Sequence, residues 1–171
     1  LPPSLNKSFY DFTIEGNSIR FGFGAIKGLG EKAIENIIEA RSKTGGFKTL
    51  KEFLEKVDLS VVNKGVLESL IKSGALDEIH DNRGQLFESI DLIIELARKY
   101  QADIQTGQGD LFSMDTSRDN TKLSTDLPPV TDWKDNIKLA FEKEIIGLYL
   151  SGHPLSRFEN EIKSFPSYTL A

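Results

Sequence analysis

Ala25-Ile26-Lys27-Gly28-Leu29-Gly30-Glu31-Lys32-Ala33 combines features that together suit the holding of a phosphate. Two glycines flank one apolar residue, lysines stand on both sides, and a helical pattern begins at once. Glycines let the backbone turn tightly and bring its N–H groups close to a ligand without a Cβ in the way. A helix starting there adds unpaired N–H donors and the positive end of its dipole, and both favour an anion. Such a grip needs no side chain that reads bases, so it would hold a nucleic-acid backbone of any sequence. The pattern is neither of the two common nucleotide-binding fingerprints. The third glycine and distal acid of a dinucleotide site are missing, and no Gly-Lys-Ser/Thr follows at P-loop spacing.

A second constellation is Gln108-Gly109-Asp110-Leu111-Phe112, a Leu-Phe pair in polar surroundings. One glutamine and two adjacent apolar anchors could fill a partner's pocket as a short peptide. The alternative is that Leu111 and Phe112 tuck back onto the helical domain. Ser151 and His153 lack a nucleophile elbow and an orienting carboxylate, and the Gly-His-Pro context predicts a helix-ending turn. His80, beside Asp81, reads as a surface loop. Two distant histidines and no cysteine give no zinc set. Glu142 and Glu144 read as a charged helix flank, so no catalytic or metal-binding group is expected.

The elements that must position these residues are mostly helices. Pro2, Pro3, Gly16 and Asn17 predict loop and short strand at the start, with Ile19 to Phe23 as a candidate edge strand. Helical spacing begins at Glu31, with Ala33, Ile34, Ile37 and Ile38 on one face, and Gly45-Gly46 stops it. Thr49 with Glu52 forms a capping-box pattern ahead of Leu50, Phe53, Leu54 and Val57. Asn63 caps a further helix whose stripe is Leu67, Leu70 and Ile71 and whose stop is Gly74. These spacings predict two helix–turn–helix units sharing one core. The second turn lacks Gly-x-Gly, so only the first turn reads as a phosphate site. Asn82 should begin the longest helix, running through Leu86, Ile90, Ile93 and Ala97 to Tyr100. Residues 103–131 are rich in Asp, Thr, Ser, Gly and Pro and predict a flexible linker. Ile137, Phe141, Ile145 and Leu148 then predict an amphipathic helix ended by Ser151-Gly152-His153-Pro154.

At 171 residues, with 39% hydrophobic and 27% charged, the chain suits one domain with appendages. Absence of cysteine excludes disulfides and thiolate metal sites. No apolar run approaches the roughly 20 residues that span a bilayer. The chain opens Leu1-Pro2-Pro3 without methionine, which suggests an internal piece of a longer protein. The net charge of −5 is uneven. Arg20 to Lys56 holds eight Lys/Arg against five Glu, a net of +3, whereas Val57 to Arg98 holds four against eight, a net of −4. The basic excess coincides with the glycine turn, and local sign governs docking to phosphates.

Three motifs, Leu-Pro-Pro-x-x-Asn-x-Ser (Leu1 to Ser8), Ile-Arg-Phe-Gly-x-x-Ala-Ile-Lys-Gly-x-Gly (Ile19 to Gly30) and Leu-Ile-Lys-Ser-Gly-Ala-Leu-Asp (Leu70 to Asp77), occur in that order. With Asn82-Arg83, Gln108 to Phe112 and Leu148 to Leu155, they resemble the bacterial replicative DNA polymerase III alpha subunit family across most of the chain. The resemblance implies the end of the polymerase fingers at 1–18 and a mainly all-α tandem helix-hairpin-helix DNA-binding domain at 19–102. It further implies a linker with a clamp-binding peptide at 103–131 and a helix leading toward an OB domain at 132–171. It assigns contact with the backbone of double-stranded DNA to Lys27, Gly28, Leu29, Gly30, Glu31 and Lys32. It assigns docking on the beta sliding clamp to Gln108, Gly109, Asp110, Leu111 and Phe112. No catalytic residue and no cofactor are implied for this segment. Mg²⁺, nucleotidyl transfer, the remaining polymerase domains, the holoenzyme subunits and a bacterial cytoplasmic setting are implied for the parent. A helix-hairpin-helix module of a DNA repair enzyme and a helical connector that binds nothing are the two rival readings.

Overall fold

The computed structural model describes residues 1–105 and 127–158. The Pro-rich start does not hang free. Leu5 is wholly buried and its N–H donates to the Ala75 carbonyl at 3.0 Å. Asn6 exchanges two hydrogen bonds with the Phe47 backbone, at 2.7 and 2.8 Å. The buried Arg41 guanidinium donates to the Leu5 and Ser8 carbonyls and lies over the Phe9 ring. These contacts strap residues 4–9 across the helices.

A small antiparallel hairpin follows, β1 (Thr13–Glu15) and β2 (Ser18–Arg20), with Thr13 opposite Arg20. The strand expected over Ile19 to Phe23 therefore stops at Arg20. Phe21 and Phe23 leave the sheet because both are buried in the core, where a two-stranded ribbon offers no cover. Phe23–Ala25 forms one 3₁₀ turn that delivers the chain to the glycine motif.

The helices form where capping and spacing predict them. α1 (Glu31–Thr44) buries Ala33, Ile34, Ile37 and Ala40 and ends at Gly45 in the left-handed conformation. α2 (Leu50–Lys56) starts at Thr49, whose hydroxyl accepts the Glu52 N–H at 3.1 Å. The Glu52 carboxylate reaches back to the Lys48 N–H, one residue earlier than a capping box requires. α3 (Lys64–Ser73) is capped by Asn63 and stopped by a left-handed Gly74.

The single helix expected from Asn82 to Tyr100 is two: α4 (Arg83–Glu88), capped by Asn82, and α5 (Ile90–Gln105). Ser89 bends the chain between them without losing hydrogen bonds. Its N–H donates to Gln85 and its carbonyl accepts from Ile93. Leu86 and Ile90, on either side of it, are both buried in the core.

α6 (Asp135–Ile145) is also shorter than expected, ending well before Ser151. Ile137 and Leu148 are exposed, and the buried positions are Leu139, Glu142 and Ile145. A buried carboxylate, invisible to an apolar-spacing argument, sets the face. Among the described residues the fold is mainly α, six helices and one two-stranded sheet. α3 lies at its centre, packed against α4, α5 and α6, while α2 packs on α5. Leu127 is buried, and Gln85 and Asn82 donate to the Pro128 and Val130 carbonyls at 2.9 Å, so residues 127–130 run along α4. Phe87, Trp133 and Phe141 close this side, with the Lys72 ammonium over the Phe141 ring.

Candidate nucleic-acid interface

The glycine turn sits where the 3₁₀ turn hands over to α1. Gly28 has φ +87°, a conformation L side chains rarely adopt, and a Cβ there would meet the Ser69 hydroxyl on α3. The positive φ is the reason glycine stands at 28; a Cβ would in addition require the Ser69 hydroxyl to swing aside. Leu29 is buried and anchors the turn in the core, so it seats the site without facing a ligand. Gly30 is the N-cap and has no side-chain cap; a Cβ added there would meet nothing within 4 Å. The mouth of α1 is open.

The backbone groups follow from that geometry. Gly30 carbonyl accepts from Ala33 and Ile34 at 3.0 and 3.1 Å, and Leu29 donates to Ile26. The Gly28, Gly30, Glu31 and Lys32 N–H groups have no acceptor among the described residues. Four donors at one helix start make an anion-binding geometry. Lys27 and Lys32 are exposed and form no ion pair among the described residues. Glu31 is exposed too. Its carboxylate complements the helix dipole but would repel a phosphate, so only its N–H suits the site.

The second hairpin joins the same surface. Gly30 and Asn63 cap α1 and α3 and lie 33 positions apart in the chain. At that offset Leu29 matches Val62, Ala33 matches Val66, Ile34 matches Leu67 and Ile37 matches Leu70, and all eight are buried. Asn36 of α1 accepts the Asp58 N–H at 2.8 Å, tying α1 to the second turn. Gly28, Gly30, Lys32 and Ala33 from the first unit face Val61, Asn63, Gly65 and Val66 from the second across one open depression of about 310 Å³. Asn63 spends its side chain on the Val66 N–H, at 3.2 Å, while the Lys64 and Gly65 N–H groups have no acceptor among the described residues. Lys64 is not free: both Asp91 oxygens accept from its ammonium, at 2.7 and 2.8 Å. That hydrogen bond raises the Lys64 pKa and keeps the charge engaged.

A third element supports the turn from behind. The Lys27 N–H donates to the Ile145 carbonyl at the end of α6, at 3.0 Å. Glu142, one turn earlier and almost wholly buried, accepts from Arg83 and from the Leu150 and Ser151 N–H groups, at 2.9 to 3.0 Å. Arg83 also forks onto Asp77 at 2.6 and 2.8 Å. Burial alone would raise the Glu142 pKa, but donation from Ser151, Leu150 and Arg83 outweighs it and holds the carboxyl below its ordinary value. Glu142 is therefore a structural ion-pair partner and not part of a charged flank; Glu144 is exposed and reaches Lys72 at 3.5 Å. No local pattern signals the pair, because 59 residues separate Arg83 from Glu142.

The remaining candidates fall as follows. Gln108, Gly109, Asp110, Leu111 and Phe112 lie outside the described residues. Ser151 and His153 are exposed; His153 Nδ1 accepts the Leu155 N–H at 3.2 Å, which suits the expected turn. His80 is half-buried, and its Nδ1 accepts the Asn82 N–H at 3.3 Å, so it helps shape the turn before α4. Among the described residues no cluster of His, Asp and Glu could hold a metal, and no helix is long and apolar enough to cross a membrane.

Comparison with known proteins agrees with this geometry. Residues 1–86 match the family model described as the helix-hairpin-helix motif. The DNA polymerase III subunit alpha of Vibrio cholerae is 38% identical over 171 residues, 99% of this chain and 15% of that protein. Its namesake from Deinococcus radiodurans is 43% identical over 93% of this chain and 12% of its own length. That of Neisseria meningitidis is 40% identical over 100% and 15%. The chain thus spans only 12–15% of the length of these relatives. Paired caps at one open groove, a family match over half the chain and near-complete coverage by these homologues converge. The chain belongs to the helix-hairpin-helix motif family.

Proposed function

We propose that this chain binds double-stranded DNA through its phosphate backbone, without reading sequence, as one region of a DNA polymerase III alpha subunit. The observation that carries the proposal is the shared groove, where unpaired N–H groups of two helix starts lie beside Lys27 and Lys32, whose ammonium groups have no ion-pair partner among the described residues. Lys27, Gly28, Gly30, Glu31 and Lys32 supply the first phosphate site, with Leu29 seating it. The backbone N–H groups of Lys64 and Gly65 supply a weaker second site. The names of the relatives support a replicative role, and the local excess of basic residues supports attraction to duplex.

In the same proposal Gln108 to Phe112 dock on the beta sliding clamp, with Leu111 and Phe112 as anchors. Two weak attachments joined in one chain raise effective affinity by roughly 10²–10⁴ through local concentration, which is the physical basis of processive synthesis. Polymerisation, its Mg²⁺, the other polymerase domains and holoenzyme partners, and a cytoplasmic location belong to the parent.

The test is a duplex titration of this chain at two salt concentrations, with and without Lys27→Glu plus Lys32→Glu. Removing one lysine–phosphate pairing lowers the logarithmic salt slope by about 0.9. The double variant should therefore bind every duplex sequence more weakly, with a slope shallower by about 1.8. An unchanged slope and affinity would favour the connector that binds nothing. Capture of the clamp by the chain, with and without Leu111→Ala and Phe112→Ala, tests the second attachment; capture indifferent to both favours a repair-type module.

A further inference from the structure

We propose that α6 is a buttress for the phosphate-gripping turn, and that Glu142 and Arg83 are its positioning residues; this rests on the turn holding phosphate as set out above. The direct link is the Lys27 N–H to Ile145 carbonyl bond of 3.0 Å. It fixes the Ile26–Lys27 peptide plane, and the next peptide carries the Gly28 N–H. On its other side the turn rests on α3, where the Ser69 side chain lies against Gly28. The turn is therefore held between α3 and the last turn of α6.

The position of Ile145 is itself determined by what holds α6. Ile145 and Ile146 are buried in the common core, and Lys72 of α3 reaches Glu144. The strongest tie is Glu142, one turn before Ile146, whose N–H donates to the Glu142 carbonyl at 2.7 Å. The Glu142 side chain meets Arg83 of α4 and collects the Leu150 and Ser151 N–H groups. That carboxylate thus draws together the start of α4, the end of α6 and the chain leaving α6. A change in how the chain after α6 is pulled would reach the Lys27 peptide through one helical turn. The second hairpin has no such bond: Ser60, the counterpart of Lys27 at offset 33, donates its N–H to Asp58 Oδ1 within its own turn, at 2.8 Å. Only the first grip is coupled to α6 by a backbone hydrogen bond among the described residues.

The test uses the full chain with Glu142→Gln, which removes the charge and leaves an NH2 group facing either Arg83 or the Leu150 and Ser151 donors. Arg83→Lys serves as the milder second variant, keeping the charge and losing the fork. Hydrogen exchange is followed at Lys27 and, as internal reference, at Leu70 and Ile71 in α3. Glu142→Gln should speed exchange at Lys27 by about 10-fold while the α3 amides hold. Duplex affinity should fall by about 3- to 10-fold with the salt slope unchanged, since the phosphate count stays the same while the donors lose alignment. Arg83→Lys should move both readouts in the same direction by less.

Unaltered Lys27 exchange and affinity in both variants overturn the inference. So does equal acceleration at Leu70 and Ile71 in both, because the pair would then support only the fold. The Lys27→Glu plus Lys32→Glu titration separates the two levels. If that double variant binds normally the phosphate site itself is wrong. If it binds weakly while Glu142→Gln is silent, only the buttress is wrong.

Discussion

The two hairpins occupy equivalent places at offset 33, yet they are built differently. The first places glycine at the cap and at the left-handed turn, leaving four N–H groups and two lysines without partners among the described residues. The second places Asn63 at the cap and Val61 in the turn; its cap consumes the Val66 N–H and its lysine is tied to Asp91. One turn is left open with its donors unpaired, the other closed by its own side chains. In a duplicated unit, a capped end with its charges paired can carry the fold while the uncapped end stays open to an anion.

Making the first turn resemble the second should have the largest effect. Gly28→Val places a β-branched residue at φ +87° and drives its Cβ into Ser69. A loss of about 2–4 kcal/mol in denaturant unfolding is expected from strain and overpacking together. The reciprocal Val61→Gly should cost about 1 kcal/mol, through backbone entropy and reduced packing. Comparable losses at the two positions would mean the turns are not distinct in the way described.

Acid should distinguish them next. Glu142 titrates below the ordinary carboxyl value of 4.5, so as pH falls the unfolded chain takes up this proton first. The stabilisation is complete above about pH 4.5 and is lost as pH falls through the folded value. Amide resonances of Lys27 and Gly28 should move in that window before those of Asn63 and Lys64. A simultaneous shift at both turns would remove the asymmetry.

Smaller effects concern the lysines. Lys32→Ala should weaken duplex binding several-fold and lower the salt slope by about 0.9, whereas Lys64→Ala should leave the slope unchanged because Asp91 already holds that charge. A slope change for Lys64 equal to that for Lys32 would make the second hairpin an equal partner. The smallest is Asn63→Gly, which copies the first cap. Stability should fall by only a few tenths of a kcal/mol, since glycine is a tolerated cap. Duplex affinity should hold or rise slightly as the Val66 N–H is freed; a clear fall would make the Asn63 side chain itself a contact.

Much of the fold was legible because its signals are local. Thr49, Asn63 and Asn82 cap helices through bonds spanning three residues, and Gly45 and Gly74 stop them through their own backbone angles. The glycine turn was legible for the same reason. Helix length was less so. Ser89 is compatible with one long helix, and no glycine, proline or change of apolar spacing marks the break where its backbone turns out of helical angles, at φ −99° and ψ 9°. α6 misled because apolar spacing through Leu148 disregarded the one buried acid on its face.

Local residue chemistry was enough to specify the all-α hairpin units, their caps and stops, and the open glycine turn at Lys27 to Lys32 on which the proposed phosphate grip rests. Each depends on atoms a few residues apart, and such interactions recur wherever the same residues recur. The shared groove, the capture of Lys64 by Asp91 and the support of Lys27 by Ile145 had to await folding. They join residues 27 to 118 positions apart, as Lys64–Asp91 and Lys27–Ile145 illustrate. Such partners are chosen by how helices pack in space, and no spacing along the chain encodes that choice.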